Sequence, residues 1–359
     1  MMLSTPQNIR TLQRKLYLEA KQEPAFRFYA LYDKVYRTDI LNYAYRLVRA
    51  NKGSAGIDGV SFEAIESGEG QSVFLTGLKE ALKNKSYEPS PVKRVKIPKA
   101  DGSKRALGIP TIRDRVAQMA AKLVIEPIFE ADFCDISYGF RPKRSAHDAV
   151  DDISIALNCG YTQVIDADIS KYFDTIAHAK LLAAVAERIV DGANLNLIRM
   201  WLKSPVVEEG EKGTRRNGGA GKANRRSTPQ GGVISPLLSN LYLHQLDRHW
   251  CQGHLQKRLE ARLVRYHFEH SLLNFGSHPV FDTRLASGFF LKSLDTVFLV
   301  RFFNIVKMLA RDAIDTAGLR NVLEVFGKFQ YAQFRSNNFL LGGHVYLLIG
   351  LFGDNPEGI

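Results

Sequence analysis

The stretch VIDADISKYFD, residues 164–174, sets Asp166 and Asp168 into a β-branched, apolar run. Such a run reads as a strand. Side chains on a strand alternate faces, so the two aspartates project from the same side. Like charges held this close disfavour each other unless a cation lies between them. The pair therefore raises the question of what cation it holds in a chain that is otherwise basic. Taken alone, a capping or surface pair is the simpler reading; its neighbours along the chain have to decide.

Charge provides the first of those neighbours. The 359 residues carry a formal charge of +12, unevenly spread. Residues 267–359 hold eight Lys/Arg and eight Asp/Glu, so residues 1–266 hold the whole excess. Phenylalanine runs the other way, with 13 of 21 in the last 93 residues. The join near Tyr266 is a compositional boundary, and the basic part before it points to a polyanionic partner, foremost nucleic acid. The opening MMLSTPQNIRTLQRK has no apolar secretory stretch, which predicts a cytoplasmic protein. FLLGGHVYLLIGLF, from Phe339, is too short to span a bilayer, and no membrane partner is expected. Cys134, Cys159 and Cys251 lack metal-ligand spacing and read as buried free thiols in a reducing compartment.

Periodicity supplies the elements. Residues 6–50 read as helical, and NKGSAGIDGVS (51–61) as a glycine-rich loop. VKRVKIPKADGSKRALGIP (92–110) is a hairpin about Asp101-Gly102, studded with Lys93, Arg94, Lys96, Lys99, Lys104 and Arg105. Lysines guarding a solvated edge would look similar, but their density favours phosphate contact. A helix from Arg113 should stop before Pro127. SYGFRPKRSAHDAVDDI gives a basic loop, with Arg141, and a helix from Ser145; Asp151-Asp152 reads as a solvated face. The strand 162–168 follows, then a helix over about 177–190 that should end at Asp191-Gly192. Residues 211–226, EKGTRRNGGAGKANRR, read as an exposed, mobile, cationic loop. In STPQGGVISPLLSNLYLHQLD, Ser235 is the expected N-cap and Pro236 the first helical residue.

The order of these signals is more specific than any one of them. A basic hairpin, a GFRP loop, DADISKYFD and then TPQGGVISPLLSN resemble the reverse transcriptases and maturases encoded by group II introns, over roughly residues 1–266. KRALGIPTIRDR and TPQGGVISPLLSN carry most of the likeness. The resemblance implies an α+β, right-hand polymerase fold: residues 1–150 fingers-like, 151–266 a partial palm with a small antiparallel sheet, 267–359 an unrelated tail. It implies nucleotidyl transfer to a primer 3′-hydroxyl, assisted by two Mg²⁺ ions that prefer carboxylate oxygens. By similarity Asp168 is the first catalytic, metal-binding carboxylate, with the Ile169 carbonyl beside it and Asp166 on the same face. Phe173 matches the residue under the incoming sugar and Gln230 the residue beside the templating pair. Arg105, Lys99 and Arg113 match positions near the triphosphate and template, so dNTP is an implied partner. RNA, as intron RNA or template-primer, is expected on Lys96, Lys104, Arg141, Arg215, Arg216, Arg225 and Arg226.

The likeness then breaks. The family continues after RLVRY with Ala-Asp-Asp, the carboxylate pair that completes the two-metal site. Here ARLVRY (261–266) is followed by HFEHSLLNFG, with Glu269 the nearest acid and no adjacent acidic pair downstream. Three readings follow: a catalytically inactive relative, an RNA-binding maturase-like protein, or an enzyme whose tail supplies replacement carboxylates from Glu269, Asp282 or Asp295. The first ranks highest. A foreign tail is expected to leave the carboxylate hairpin unbuilt and to pack as loose helices on the palm.

Overall fold

The computed structural model describes residues 3–98, 104–159, 163–169, 172–209, 215–217, 231–252, 261–267 and 345–351. Its centre is one helix. IRDRVAQMAAKLVIEPIFE forms α6 (Ile112–Glu130), buried along most of its length with the polar Asp114, Arg115 and Gln118 included. A helix buried on most sides must be wrapped by others. The wrapping comes from α1 (Gln7–Gln22), α2 (Tyr32–Val35), α3 (Thr38–Ala50) and, from far downstream, α11 (Ser235–Gln252). Two further helices, α4 (Phe62–Ser67) and α5 (Gly70–Lys83), lean on α3. The Ser61 hydroxyl starts α4 by accepting the Ala64 amide at 3.2 Å, which satisfies one of the helix's orphan donors.

Two sheets flank this bundle. The first has the order β2-β1-β4-β5, from β1 (Val92–Pro98), β2 (Lys104–Ile109), β4 (Val206–Glu209) and β5 (Arg215–Asn217). β1 and β2 are the expected antiparallel hairpin, while β4 joins β1 in parallel from more than a hundred residues away. The second sheet is antiparallel throughout, ordered β3-β7-β6: β3 (Gln163–Asp168), β7 (Val345–Leu351) and β6 (Ala261–His267). Along the chain α7 (Ala146–Asn158) precedes β3, and α8 (Tyr172–Thr175), α9 (His178–Ala186) and α10 (Gly192–Leu202) lead from β3 to β4. One apolar core reaches from Ile9 through α6 to Ile169, Tyr172 and Trp250, so fingers-like and palm-like segments share an interior. Among the described residues no helix is long and apolar enough to cross a membrane.

Several expectations are corrected. α6 does not stop before Pro127 but passes through it to Glu130. Proline has no N–H for the Leu123 carbonyl one turn back; Gln13 Nε2 of α1 donates to that carbonyl instead, at 3.0 Å. Lys21 Nζ then takes the Ala131 carbonyl at the helix end, 3.0 Å away. Asp191-Gly192 does not close the helix after 177: α9 ends at Ala186, and Asp191 is the N-cap of α10, accepting from Ala193 and Asn194. Part of the 211–226 segment is strand β5 rather than mobile loop. The described part of the tail is a strand in the middle of the second sheet, not a set of helices. The thiols also differ from expectation, with Cys159 and Cys251 exposed and Cys134 half-buried.

Candidate functional site

The entry to α11 collects the motifs. Gly231, of TPQGG, has φ +110°, a conformation open to glycine and strained for other residues. A Cβ there would press on the Gly108 carbonyl oxygen of β2 and meet Leu107 Cδ1 at 3.0 Å. Glycine is thus what lets this turn lie on the fingers strand. Two residues on, the Val233 amide donates to Gln118 Oε1 of α6 at 3.0 Å. Asn240 Nδ2 donates to the Gly139 carbonyl of the GFRP loop at 2.8 Å. The Tyr172 hydroxyl, from ISKYFD, donates to the Ser239 carbonyl at 2.8 Å. Four segments separated in sequence, β2, α6, the GFRP loop and ISKYFD, therefore meet the TPQGG turn and the helix that follows it.

The aspartate strand lies at the margin of that assembly. β3 pairs with β7 in a register that sets Asp166 across from Leu348 and Asp168 across from Tyr346; Tyr346 in turn is registered with Tyr266 of β6. Ile169 is buried in the core directly after the strand. Phe173 is 7% exposed and packs edge-on to Tyr172, ring centroids 5.6 Å apart. Neither β6 (ARLVRYH) nor β7 (VYLLIGL) contains an acid. Paired metal ions need carboxylates converging from more than one strand. Among the described residues, Asp166, Asp168 and the Ile169 carbonyl stand beside two acid-free strands, an arrangement that does not fit such a pair. Glu269, Asp282 and Asp295 lie outside the described residues.

The basic residues separate into groups. Arg94 donates to Glu208 Oε1 at 3.2 Å, and exposed Lys96 stands 3.5 Å from its Oε2, so one carboxylate binds two bases across the β1–β4 junction. The Arg94 hydrogen bond, with both positive charges, holds the Glu208 carboxyl below the usual range. Arg216 and Arg215 occupy register positions opposite Glu208 and Glu209. Lys104 and Arg105 pair in register with Pro98 and Ile97 of β1. Arg113, at the start of α6, lies over the Tyr87 ring, 5.1 Å from its centroid. Lys99, Gln230, Arg225 and Arg226 lie outside the described residues.

Arg141 has a different place from the one expected. It is 8% exposed. Its Nη1 donates to the Cys134 and Ser137 carbonyls at 2.7 and 2.9 Å, and its Nε to Glu130 at 3.1 Å. The guanidinium also covers the Phe133 ring, 5.2 Å from the centroid. A guanidinium with its donors taken up inside the protein is a brace for the loop, not a contact for phosphate. Arg144 has a similar part at the surface, bonding Asp135 at 2.6 Å over the Tyr138 ring. Left-handed Phe140 and Lys143 give the loop its tight turns.

Sequence reading missed three buried polar centres behind the site. Asp114 accepts from the Tyr87 hydroxyl (2.6 Å), the Thr111 hydroxyl (2.8 Å) and the Ser90 amide (3.0 Å), while Trp201 Nε1 donates to the same Tyr87 oxygen at 3.0 Å. Burial pushes the Asp114 carboxyl up despite those bonds. Asp191 accepts from the Leu31 and Tyr32 amides, each at 2.8 Å, besides capping α10. Arg188 gathers the chain after α1, donating to the carbonyls of Ala20, Glu23, Pro24 and Phe26 and pairing with Asp132 at 3.0 Å. The available signals were Asp191 before a helix and Thr111 three residues ahead of Asp114; their distant partners had none.

Comparisons with known proteins place the chain among reverse transcriptases. Residues 97–267 match the family described as reverse transcriptase (RNA-dependent DNA polymerase). The match ends where charge and phenylalanine content change. Protein YkfC of Escherichia coli K12 is 37% identical over 270 residues, 74% of this chain and 68% of that protein. The group II intron-encoded protein LtrA of Lactococcus lactis is 36% identical over 229 residues, 62% of this chain. This chain spans only 35% of LtrA's length. Among solved structures, a partial Cas6-RT-Cas1–Cas2 complex matches at TM-score 0.40 and 19% identity, over 66% of this chain and 36% of that one.

Proposed function

This chain belongs to the group II intron reverse transcriptase and maturase family, and we propose that it is a member that holds RNA on its basic fingers without making DNA. The observation that carries the proposal is the second sheet. The family continues after the RLVRY strand with Ala-Asp-Asp, and in this chain β6 continues without acids. An acid-free strand, β7, stands between β6 and the strand of Asp166 and Asp168. Among the described residues, neither strand then offers Asp168 the carboxylates with which to hold two Mg²⁺ ions against a dNTP and a primer end. The fingers lose nothing by this. Lys104 and Arg105, with Lys96, Arg113, Arg215 and Arg216, supply the charge for a phosphate backbone, joined by Lys99, Arg225 and Arg226 from the flanking sequence. Arg141 is left out because the fold consumes its donors. Glu208 tempers part of the ribbon, so RNA must displace an internal pairing to reach Lys96.

Two measurements test the reading. Extension of a primed RNA template with Mg²⁺ or Mn²⁺ should give no product; synthesis that vanishes in Asp168→Ala would overturn it in favour of a tail that completes the site. RNA binding should persist in Asp168→Ala and fall steeply with salt, by orders of magnitude over a few-fold rise if about six or more phosphates are neutralised. An affinity insensitive to salt, or unchanged in an Arg215/Arg216/Arg225/Arg226→Ala variant, would remove the basic face from the proposal.

A further inference from the structure

One carboxylate stands among the cations of the first sheet. β4 joins β1 with Glu208 registered on Arg94, and β5 sets Arg216 at the register position on the other side of Glu208. Lys96, two residues along β1 from Arg94, lies on the same face of the sheet. Arg94 Nη1 donates to Glu208 Oε1 at 3.2 Å, and Lys96 Nζ lies 3.5 Å from Oε2. Each carboxylate oxygen thus takes one cation. The Arg94 and Glu208 side chains are 33% and 34% exposed and Lys96 more so, and the group is open to a ligand from solvent. Ala106 of β2, registered opposite Lys96, is exposed and small, so β2 sets no bulky side chain beside it. The arrangement is that of a bound phosphate with a carboxylate in its place. A backbone phosphate, like a carboxylate, carries one negative charge and offers oxygens to a guanidinium or an ammonium.

We propose that Arg94 and Lys96 form a site for one phosphate of the RNA backbone, which Glu208 fills in the RNA-free protein, so that this carboxylate sets the affinity and selectivity of the fingers. The nature of the ligand rests on the RNA-binding reading above; the site rests on the sheet. An exposed ion pair is weak in water and is screened further by salt. A free phosphate still gains little by displacing Glu208, because it only exchanges one anion for another. An RNA strand already held by neighbouring bases differs, since it brings its next phosphate to Arg94 and Lys96 at high effective concentration. Glu208 therefore turns away isolated anions and yields to a polyanion.

Glu208→Gln keeps the shape of the side chain and removes its charge. Asp151→Asn, at an exposed position of α7, changes the net charge equally and is the control. RNA binding by the full chain should tighten about three- to tenfold in Glu208→Gln, the scale of one exposed ion pair, and by less than about twofold in Asp151→Asn. The salt slope should steepen by about one phosphate, roughly 0.7–0.9 on logarithmic axes. Arg94→Ala should cost more affinity in the Glu208→Gln background than in the unaltered chain, a coupling that a double-mutant cycle reads. In a second arm, inorganic phosphate at constant ionic strength should raise the melting temperature of Glu208→Gln but not of the unaltered chain, and Arg94→Ala should abolish the rise. The same curves report that each variant is folded. Equal tightening in Glu208→Gln and Asp151→Asn would reduce Glu208 to its share of the net charge and overturn the proposal. Phosphate that leaves Glu208→Gln unmoved would overturn it too, whatever the chain does with RNA. Phosphate held through Arg94 by a chain that binds no RNA would keep the site and remove the RNA reading instead.

Discussion

At the scale of single residues, two positions carry more than their size suggests. Gly231 holds a turn at φ +110° against the Gly108 carbonyl. Alanine there meets both an unfavourable backbone region and a backbone atom that cannot step aside. Gly231→Ala should destabilise by about 1–3 kcal/mol from backbone strain alone, and a denaturant series should show it. Tyr87 is the second case, because its hydroxyl both donates to Asp114 and accepts from Trp201. Tyr87→Phe leaves two buried polar groups short of a partner, a loss of about 1–3 kcal/mol. The loss should depend on pH. Burial already raises the folded Asp114 carboxyl above its ordinary 3.8, and removing a donor raises it further. A carboxyl raised by folding favours the native state at low pH and loses that contribution as pH rises through the folded value. The penalty measured by urea unfolding should therefore be larger at neutral pH than near pH 4, where Asp114 is increasingly protonated. An equal penalty at both would mean that Tyr87 acts through packing only.

At the scale of elements, the helix ends join one element to another. Asp191 caps α10 and also receives the amides that lead into α2. Burial pushes its carboxyl up, but the bonds from Leu31, Tyr32 and Asn194 together outweigh burial, and it rests below its ordinary 3.8. The sign is opposite to that of Asp114. Stabilisation from Asp191 is complete above the unfolded carboxylate value and is lost as pH falls through the lower folded one. Asp191→Asn should cost about 0.5–2 kcal/mol near neutrality, in the range of a lost helix cap, and should flatten the acid limb of the stability curve. A variant whose acid limb keeps the original slope would show that other carboxylates dominate there. The passage of α6 through Pro127 is another joint of this kind, because Gln13 of α1 replaces the missing intrahelical donor.

At the scale of the whole molecule, the second sheet depends on a strand from the end of the chain. β7 bonds to β3 on one side and β6 on the other. A proline in a central strand removes a ladder donor and fixes an unsuitable φ. Leu348→Pro should therefore strip hydrogen-exchange protection from residues 163–168 and 261–267 together. The interior around α6, built from residues of α1, α3 and α11, should keep its protection. Unchanged exchange in β3 and β6 would refute the place assigned to β7.

Much of the molecule could be read from local rules, because those rules are written in neighbouring residues. The Asp101-Gly102 turn between two β-type runs announced β1 and β2. Ser145 announced the start of α7, where a complete capping box with Asp148 stands. The ordered motifs identified the family, and the break after Tyr266 marked where the family match ends. What local rules cannot supply is the partner of a group whose partner is distant. Pro127 reads as a helix end unless Gln13 is known to face Leu123. Arg141 reads as a free cation unless Glu130 and two carbonyls are known to surround it. The reach of β4 to β1 and the insertion of β7 beside the aspartate strand are both long-range pairings. The sequence by itself determined the elements, the charge boundary and the lineage; the tertiary structure decided which polar groups are consumed by the fold and which strand neighbours Asp168, since backbone pairing and burial exist only once distant segments have come together.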